Sequence, residues 1–175
     1  MARTSNVAAV NKRAASLMKE LRYLDAAKLL SKKSCDSGSH WRLSWNLGWC
    51  YFNLRRFDDA EKHMMRANEL APDNASCKWG LGAVYLKKRK FKEAEAILVE
   101  SLRIKEWRNT RIFLALAYLA QGKISEAEQM HVENIKLKPK DAVRYEWYAA
   151  FLSDVGREAE AEQILQIVKA MRSIH

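Results

Sequence analysis

Apolar residues along most of the chain follow the spacing of amphipathic helices. In FDDAEKHMMRANEL, for instance, small or apolar residues recur at intervals of three and four, with polar residues between them. A period near 3.6 residues is typical of an α-helix with one buried face. Short turns such as NLRRF, KKRKF and QGKI separate consecutive helical stretches. The sequence therefore predicts pairs of helices joined by short turns.

The helical pairs repeat along the chain. Gly48 and Gly82 are separated by the same interval as Tyr51 and Tyr85. An alanine recurs at this interval too, except that the register slips once by a single residue, in or beside SLRIKEWRN. A sustained period of about 34 residues indicates stacked structural repeats. The recurring alanines are Ala26, Ala60, Ala94, Ala127 and Ala161.

Five repeats are predicted from these intervals. They cover residues 7–40, 41–74, 75–107, 108–141 and 142–175. We expect them to form a single domain over residues 7–175, preceded by an N-terminal extension at residues 1–6. Each repeat alone is too short to bury its apolar face, so consecutive repeats should share one continuous core.

The residues of these repeats resemble the tetratricopeptide repeat family, whose units carry W-x2-L-G-x2-Y, then A-x3-F, then P. In the second repeat Leu47, Gly48 and Tyr51 match the first part of this pattern. Ala60 and Pro72 match the later parts, and the third and fourth repeats keep most of the pattern. The resemblance implies an all-α fold, a right-handed α-solenoid of helix–turn–helix repeats whose first helices line a concave groove.

The stretch HWRLSWNLGWCYF places three tryptophans at intervals of four, at Trp41, Trp45 and Trp49. On the geometry that the resemblance implies, Trp45 and Trp49 face the groove. Each large apolar residue alone could instead simply pack between adjacent helices, and that interpretation stays open. Together, a stripe that is apolar in its middle and polar at both ends is typical of a binding site. The predicted partner-binding groove consists of Trp45, Asn46, Trp49, Phe52, Trp79, Leu86, Ile112 and Leu116.

Asn46 is predicted to hydrogen-bond the backbone of a segment bound in this groove. The family's two-carboxylate clamp needs lysine, asparagine and arginine at set places, and of these only Asn46 has a match here, which excludes the clamp. Ser76 and Gly80 stand at two of the other places. A closer resemblance is to family members that act as secretion chaperones or assembly scaffolds and hold a segment in an apolar groove. Those chaperones are usually acidic, unlike this chain.

The chain is basic, with 31 Lys and Arg against 21 Asp and Glu and a net charge of +10. Many of the cations fall in the turns between helices, which stacking should align along one edge. This basic edge is either a solvated surface or a docking strip for an acidic protein, an anionic membrane face or nucleic acid. The aromatic residues are expected in the groove, away from these cations, which disfavours a platform for stacked bases. The basic edge consists of Arg55, Arg56, Lys87, Lys88, Arg89, Lys90 and Lys92.

Candidate catalytic and metal-binding residues form no recognised pattern. The four histidines are scattered, and none has a carboxylate or cysteine at a ligand-like spacing. The three cysteines also lack such spacing, so we expect reduced thiols. Neither a secretory signal nor an apolar run of about 18 residues is found, and the expected location is the cytoplasm. We therefore predict a non-enzymatic protein with no cofactor, no metal and no transmembrane segment.

Two functions from different classes are compatible with these features. The first is a protein–protein interaction module, a scaffold, adaptor or chaperone-like protein, whose partner segment has apolar anchors and some acidic character. The second is a structural protein that self-assembles into homo-oligomers through its apolar face or its last helix, which carries Ile164, Leu165 and Ile167. Binding of nucleic acid or an anionic surface through the basic edge ranks below both.

Overall fold

The computed structural model describes residues 2–37, 40–105 and 108–173 and is entirely helical in its regular structure. No strand occurs within these ranges, which confirms the predicted all-α fold. Consecutive helices form antiparallel hairpins, as the repeat pattern predicts. The helices are α1 (Ala2–Lys19), α2 (Tyr23–Ser37), α3 (Trp41–Asn53), α4 (Phe57–Leu70), α5 (Ala75–Lys87), α6 (Phe91–Ile104), α7 (Arg108–Leu119), α8 (Ile124–Leu137), α9 (Ala142–Asp154) and α10 (Glu158–Ser173).

The chain divides into two compact units, Met1–Ile104 and Lys105–His175. The first unit contains α1 to α6, and the second contains α7 to α10. Their boundary falls within SLRIKEWRN, where the repeat register slips. Helix α1 begins at Ala2, so residues 2–6 of the predicted extension are helical. The organisation as a single domain over residues 7–175 stays a prediction.

Local sequence determines where several helices begin and end. Helix α4 ends at Leu70, two residues before Pro72, because a proline lacks the N–H that a helix interior requires. Helix α5 begins after Asn74, whose side-chain oxygen accepts hydrogen bonds from the backbone amides of Ser76 (2.9 Å) and Cys77 (3.3 Å). This N-cap satisfies two amides that the first helical turn would leave unpaired.

Glycines allow the helices of the first unit to approach one another closely. A Cβ atom at Gly48 would lie 2.8 Å from Cγ of Met64, and one at Gly80 would lie 2.9 Å from its Sδ. The side chain of Met64 on α4 is therefore wedged against glycines of both α3 and α5. In the next hairpin, a Cβ at Gly82 would lie 2.6 Å from Cγ of Leu98. Gly48 and Gly82, which hold equivalent places in consecutive repeats, thus mark where a side chain would separate the helices.

The second unit has its own core, in which a buried arginine joins two hairpins. Arg144 at the start of α9 is 5% exposed and lies against the end of α8. Its Nη1 donates to the backbone carbonyl of Asn134 and to the side-chain Oδ1 of the same residue (2.5 Å). Its Nε donates to Asp141 (3.1 Å), so that the buried guanidinium is both paired and hydrogen-bonded. The buried apolar residues around this core include Ala115, Ala127, Phe151, Leu152 and Ala161.

The turn inside every hairpin places one residue in the left-handed region. In the second hairpin this residue is Arg55, with φ of 59°. The next amide, of Arg56, donates to the carbonyl of Tyr51 (2.9 Å), and the amide of Arg55 donates to Phe52 (3.0 Å). These two bonds form a Schellman motif, in which glycine is the usual residue. The five equivalent positions are Leu21 (60°), Arg55 (59°), Arg89 (59°), Gly122 (74°) and Gly156 (78°).

Candidate partner-binding site

Four of the predicted groove residues form a continuous aromatic cluster in the first unit. Trp45 and Trp49, one turn apart on α3, pack edge to face with ring centroids 5.7 Å apart. Trp49 also packs on Phe52, at 5.1 Å, and on Trp79 of α5, at 5.0 Å. Aromatic pairs at such separations attract one another beyond their burial of apolar area. Trp45, Trp49, Phe52 and Trp79 are called the tryptophan cluster below.

The cluster is fixed in place from beneath. All four rings are partly buried, and three of them pack against a buried core. Trp45 donates a hydrogen bond from Nε1 to the backbone carbonyl of Ser76 (3.1 Å), which ties α3 to α5. The rings therefore contribute to packing between helices, yet each keeps part of its surface open. The core residues beneath the cluster are Ala60, Met64, Leu81 and Val84.

Asn46 lies next to Trp45 on α3 and reaches α1. Its Nδ2 donates to Oδ1 of Asn11 at 2.8 Å, and both side chains are partly buried. Asn46 is one of the predicted groove residues, but its partner Asn11 was not apparent from the sequence. Because a side-chain amide has both a donor and an acceptor group, one bond between them leaves the pair with further hydrogen-bonding capacity.

The other predicted groove residues lie further along the chain. Leu86 of α5 is partly buried in the first unit. Ile112 and Leu116 belong to α7 in the second unit, where Ile112 is buried and Leu116 is partly buried. The structure thus brings together the aromatic residues of α3 and α5, with Asn46 beside them. A role for these residues in binding a partner stays a prediction.

Carboxylates of α4 neutralise much of the basic edge. Lys88 donates from Nζ to Asp58 and to Glu61, each at 2.5 Å. Lys90 donates to the other oxygen of Glu61 at 2.6 Å. Burial acts to raise the pKa of Glu61, but the hydrogen bonds from Lys88 and Lys90 outweigh it and lower that pKa. The repeat spacing could have revealed the pair of Glu61 and Lys90, because Glu128 and Arg157 further along the chain share its interval.

The remaining cations of the edge fall into two groups. The first group lies against neighbouring side chains: Arg56 donates to Asp59 (2.8 Å) and lies 4.8 Å from the Tyr51 ring, and Arg89 lies 5.8 Å from the ring of Phe91. Arg56 and Arg89 are nonetheless exposed to solvent. The second group, which is also exposed, consists of Arg55, Lys87 and Lys92.

Two cysteines and one histidine among the candidate catalytic residues are buried. Within the described ranges, no three His, Cys, Asp or Glu side chains are close enough to hold a metal ion. Cys50 and Cys77 are buried free thiols, and burial raises the pKa of each to about 11. His131 is 4% exposed and packs against the rings of Tyr148 and Phe151, and burial lowers its pKa to about 4. Among the described helices, none combines the length and apolar character needed to span a bilayer.

Comparisons with known proteins confirm the resemblance and the fold class. The family model described as tetratricopeptide repeat matches residues 41–74. MamA from Desulfovibrio magneticus RS-1 shares 14% identity and a TM-score of 0.79, over 95% of this chain and 94% of that chain. A tetratricopeptide repeat protein from Parabacteroides merdae shares 17% identity and a TM-score of 0.84, over 95% of this chain and 65% of that chain. No curated protein matches the sequence. The fold is thus an α-solenoid of helix–turn–helix repeats.

Proposed function

We propose that this protein is a non-enzymatic protein–protein interaction module that holds a segment of its partner against the tryptophan cluster. The repeat match at residues 41–74 supports an interaction module, and the cluster supports the location. The observation that carries the proposal is the contact between Trp49 and Trp79, 5.0 Å apart on two different helices. It gathers large rings from two hairpins into one surface instead of leaving them as separate packing residues.

The cluster is suited to anchor apolar side chains of a helical or extended segment. Tryptophan is enriched among the residues that dominate binding energy, and truncating one at an interface often costs about 2 kcal/mol or more. The hydrogen bond from Trp45 to Ser76 and the packing on the core hold the rings before a partner arrives. Rings that are already ordered lose little conformational entropy on binding, and this favours affinity.

The pair formed by Asn46 and Asn11 offers polar groups beside the apolar surface. The proposed segment hydrogen-bonds its backbone to the acceptor and donor that the Asn46–Asn11 bond leaves over. Such bonds orient a bound segment, while the apolar anchors supply most of its affinity. An interaction of this kind requires no cofactor and no catalytic group.

Exposed cations near the turns add an electrostatic preference to the proposed site. Arg55, Lys87 and Lys92 are exposed, so they attract a partner that carries acidic residues outside its apolar anchors. Charges at this level of exposure mainly affect the rate of association, and salt screens them over about 10 Å. The proposal therefore includes binding that weakens with ionic strength without disappearing. We place this activity in the cytoplasm, since the buried free thiols of Cys50 and Cys77 suit a reducing compartment.

The experiment that tests the proposal compares partner capture by three proteins: the wild type, Trp49→Ala/Trp79→Ala and Trp147→Ala. Trp147 is an exposed tryptophan of α9 in the second unit, so its loss matches the chemistry without affecting the cluster. We expect at least one protein to bind the wild type and Trp147→Ala and to be lost with the double variant. Circular dichroism must show the same helicity for all three proteins.

Two results would contradict the proposal. An unchanged set of bound proteins with the double variant would remove the cluster from the binding site. Loss of helicity at ordinary temperature would show that Trp49 and Trp79 serve the core. In that second case Trp79→Phe, which keeps an aromatic ring, is tested for binding by the same capture.

A further inference from the structure

One ion-pair contact recurs between consecutive hairpins in both units. In the first unit, Glu61 of α4 accepts a hydrogen bond from Lys90, in the turn after α5, at 2.6 Å. In the second unit, Glu128 of α8 accepts one from Arg157, in the turn after α9, at 2.8 Å. The cation follows the carboxylate by the same interval in both cases. The contact is therefore a property of the repeat: a carboxylate on one hairpin reaches the turn of the next.

The sequence carries both positions through the repeats. The turn position is basic in every hairpin, and the carboxylate position is acidic in all except the first, where Ala27 occupies it. Within the described residues, Arg22 of the first hairpin therefore has no carboxylate from a preceding hairpin. Glu162 of the last described hairpin has no cation from a following one. The basic series is Arg22, Arg56, Lys90, Lys123 and Arg157, and the acidic series is Glu61, Glu95, Glu128 and Glu162.

Both unmatched groups are accessible. The side chain of Arg22 is 56% exposed and bonds Asp25 at 3.0 Å within its own hairpin. That local bond does not prevent a second contact, because Arg157 bonds Glu160 in the same way while it also bonds Glu128. Glu162 is exposed on α10. Arg22 and Glu162 are therefore accessible for the ion-pair contact that the equivalent residues make within the chain.

An apolar side chain accompanies Glu162 on the same face of α10. Leu165, one turn further along, is 49% exposed. Its equivalent one repeat earlier is His131, which is 4% exposed because Tyr148 and Phe151 of α9 cover it. On α10 the described residues provide no such helix. The exposed face of α10 is thus the surface on which the first helix of another hairpin would lie.

The face of α1 has the complementary residues. Arg13 occupies the repeat position of Tyr148, whose hydroxyl donates to Glu128 at 2.7 Å. Arg13 is exposed, and it can donate where Tyr148 donates. The two donors that surround Glu128 are thus matched on the first hairpin by Arg13 and Arg22. Both are cations, and the carboxylate that they would meet is Glu162.

We propose that a second copy of this chain docks head to tail, with α1 and the turn after it lying on the exposed face of α10. Arg13 and Arg22 of one copy donate to Glu162 of the next, and Leu165 becomes covered by α1. The junction repeats the arrangement of Glu128 with Tyr148 and Arg157. Because the two surfaces differ, copies add end to end, and association continues as the concentration rises unless the assembly closes into a ring. This inference goes beyond the proposed function and does not depend on the tryptophan cluster.

Charge reversal at the two ends tests the proposal by sedimentation velocity over a range of protein concentrations in low salt. We expect the wild type to associate, and Arg22→Glu and Glu162→Arg each to weaken association at least about tenfold, because like charges then meet at the junction. Combining both substitutions in one chain should recover part of the association, since it exchanges the charges of Arg22 and Glu162 while Arg13 then faces a cation. Asp154→Arg is the control, as it changes the net charge by the same amount as Glu162→Arg at an exposed site on α9.

Several outcomes would overturn the proposal. A wild type that stays monomeric at every concentration has no such junction. Association that survives Arg22→Glu does not use the first hairpin and indicates symmetric pairing of two α10 helices. Failure of the combined variant to recover excludes the pairing of Arg22 with Glu162. Circular dichroism of each variant establishes that it folds, and its expected result is unchanged helicity, since both positions are exposed.

Discussion

Replacing Arg55 by glycine is expected to stabilise the protein, although the substitution only removes atoms. Arg55 has φ of 59° in the turn between α3 and α4. At the equivalent turn of the fourth hairpin the residue is Gly122, with φ of 74°. A residue with a side chain is strained in this region, whereas glycine adopts it freely. The opposite substitution, Gly122→Ala, should therefore destabilise the protein.

The magnitude follows from two opposing contributions. Holding a residue with a Cβ in the left-handed region costs about 1–2 kcal/mol. Glycine loses roughly 0.5–1 kcal/mol more backbone entropy on folding than a residue with a side chain. The expected net gain for Arg55→Gly is therefore about 0.5–1 kcal/mol. Gly122→Ala should cost a similar amount from the backbone alone, because a Cβ at Gly122 would meet no atom within 4 Å.

Urea unfolding measures both changes. Four of the six tryptophans belong to the first unit, so tryptophan fluorescence reports mainly that unit, and circular dichroism reports both units. Arg55→Ala is the matched control, because it removes the same charge and keeps a Cβ at the strained position. We expect Arg55→Ala to change the free energy of unfolding by less than Arg55→Gly. If the two variants are equally stabilising, relief of charge repulsion explains the gain, and strain of the backbone at Arg55 does not.

Two further predictions concern the cores of the units. Gly82→Ala should destabilise the first unit by about 1–3 kcal/mol, because its Cβ would lie 2.6 Å from Cγ of Leu98. Thermal unfolding measures this change, and unchanged stability would show that Leu98 moves aside freely. The pKa of His131 is lowered to about 4 by burial, with Glu128 opposing the shift, against about 6.5 in an unfolded chain. As the pH falls from 6.5 to 4, the unfolded state takes up the proton first, so about 3 kcal/mol of stability should be lost in that window. His131→Phe should abolish this loss of stability, and His40→Asn, the control at an exposed site, should retain it. If both variants lose stability with the same pH profile, protonation of His131 is not the cause of the loss.

Much of the fold could be predicted from the sequence because the same pattern of residues forms a helical hairpin in each of the five repeats. The repeat spacing located the hairpins, and the small residues at Gly48 and Gly82 marked the closest helix contacts. The proximity of Trp45 and Trp49 followed from the helical period alone. Trp79 has the place in the third repeat that Trp45 has in the second, so stacking of consecutive repeats brings Trp79 to the aromatic side chains of α3, where it packs on Trp49.

Other features depend on side-chain geometry that a repeat pattern does not contain. The left-handed residue of each turn is glycine in only two hairpins. The residue types of Leu21 and Arg55 therefore did not indicate a left-handed backbone at these positions. The hydrogen bond between Asn46 and Asn11 joins side chains of two different repeats. It forms because these two amide side chains are long enough to meet. The cations of the basic edge were visible in the sequence, but the pairing of Lys88 with Asp58 and Glu61 was not, since it depends on how one hairpin lies on the next.

The wedging of Met64 between Gly48 and Gly80 provides a chemical reporter of how often the first unit opens. Met64 is fully buried, whereas the adjacent Met65 is 43% exposed. A mild oxidant should convert Met65 to its sulfoxide directly and reach Met64 only while the hairpins are apart, so the ratio of the two rates gives the open fraction. A sulfoxide at Met64 adds a polar oxygen to a space that already lacks room for a methyl group on either glycine. Oxidation of this one residue therefore makes a transient opening of the hairpins permanent until the sulfoxide is reduced.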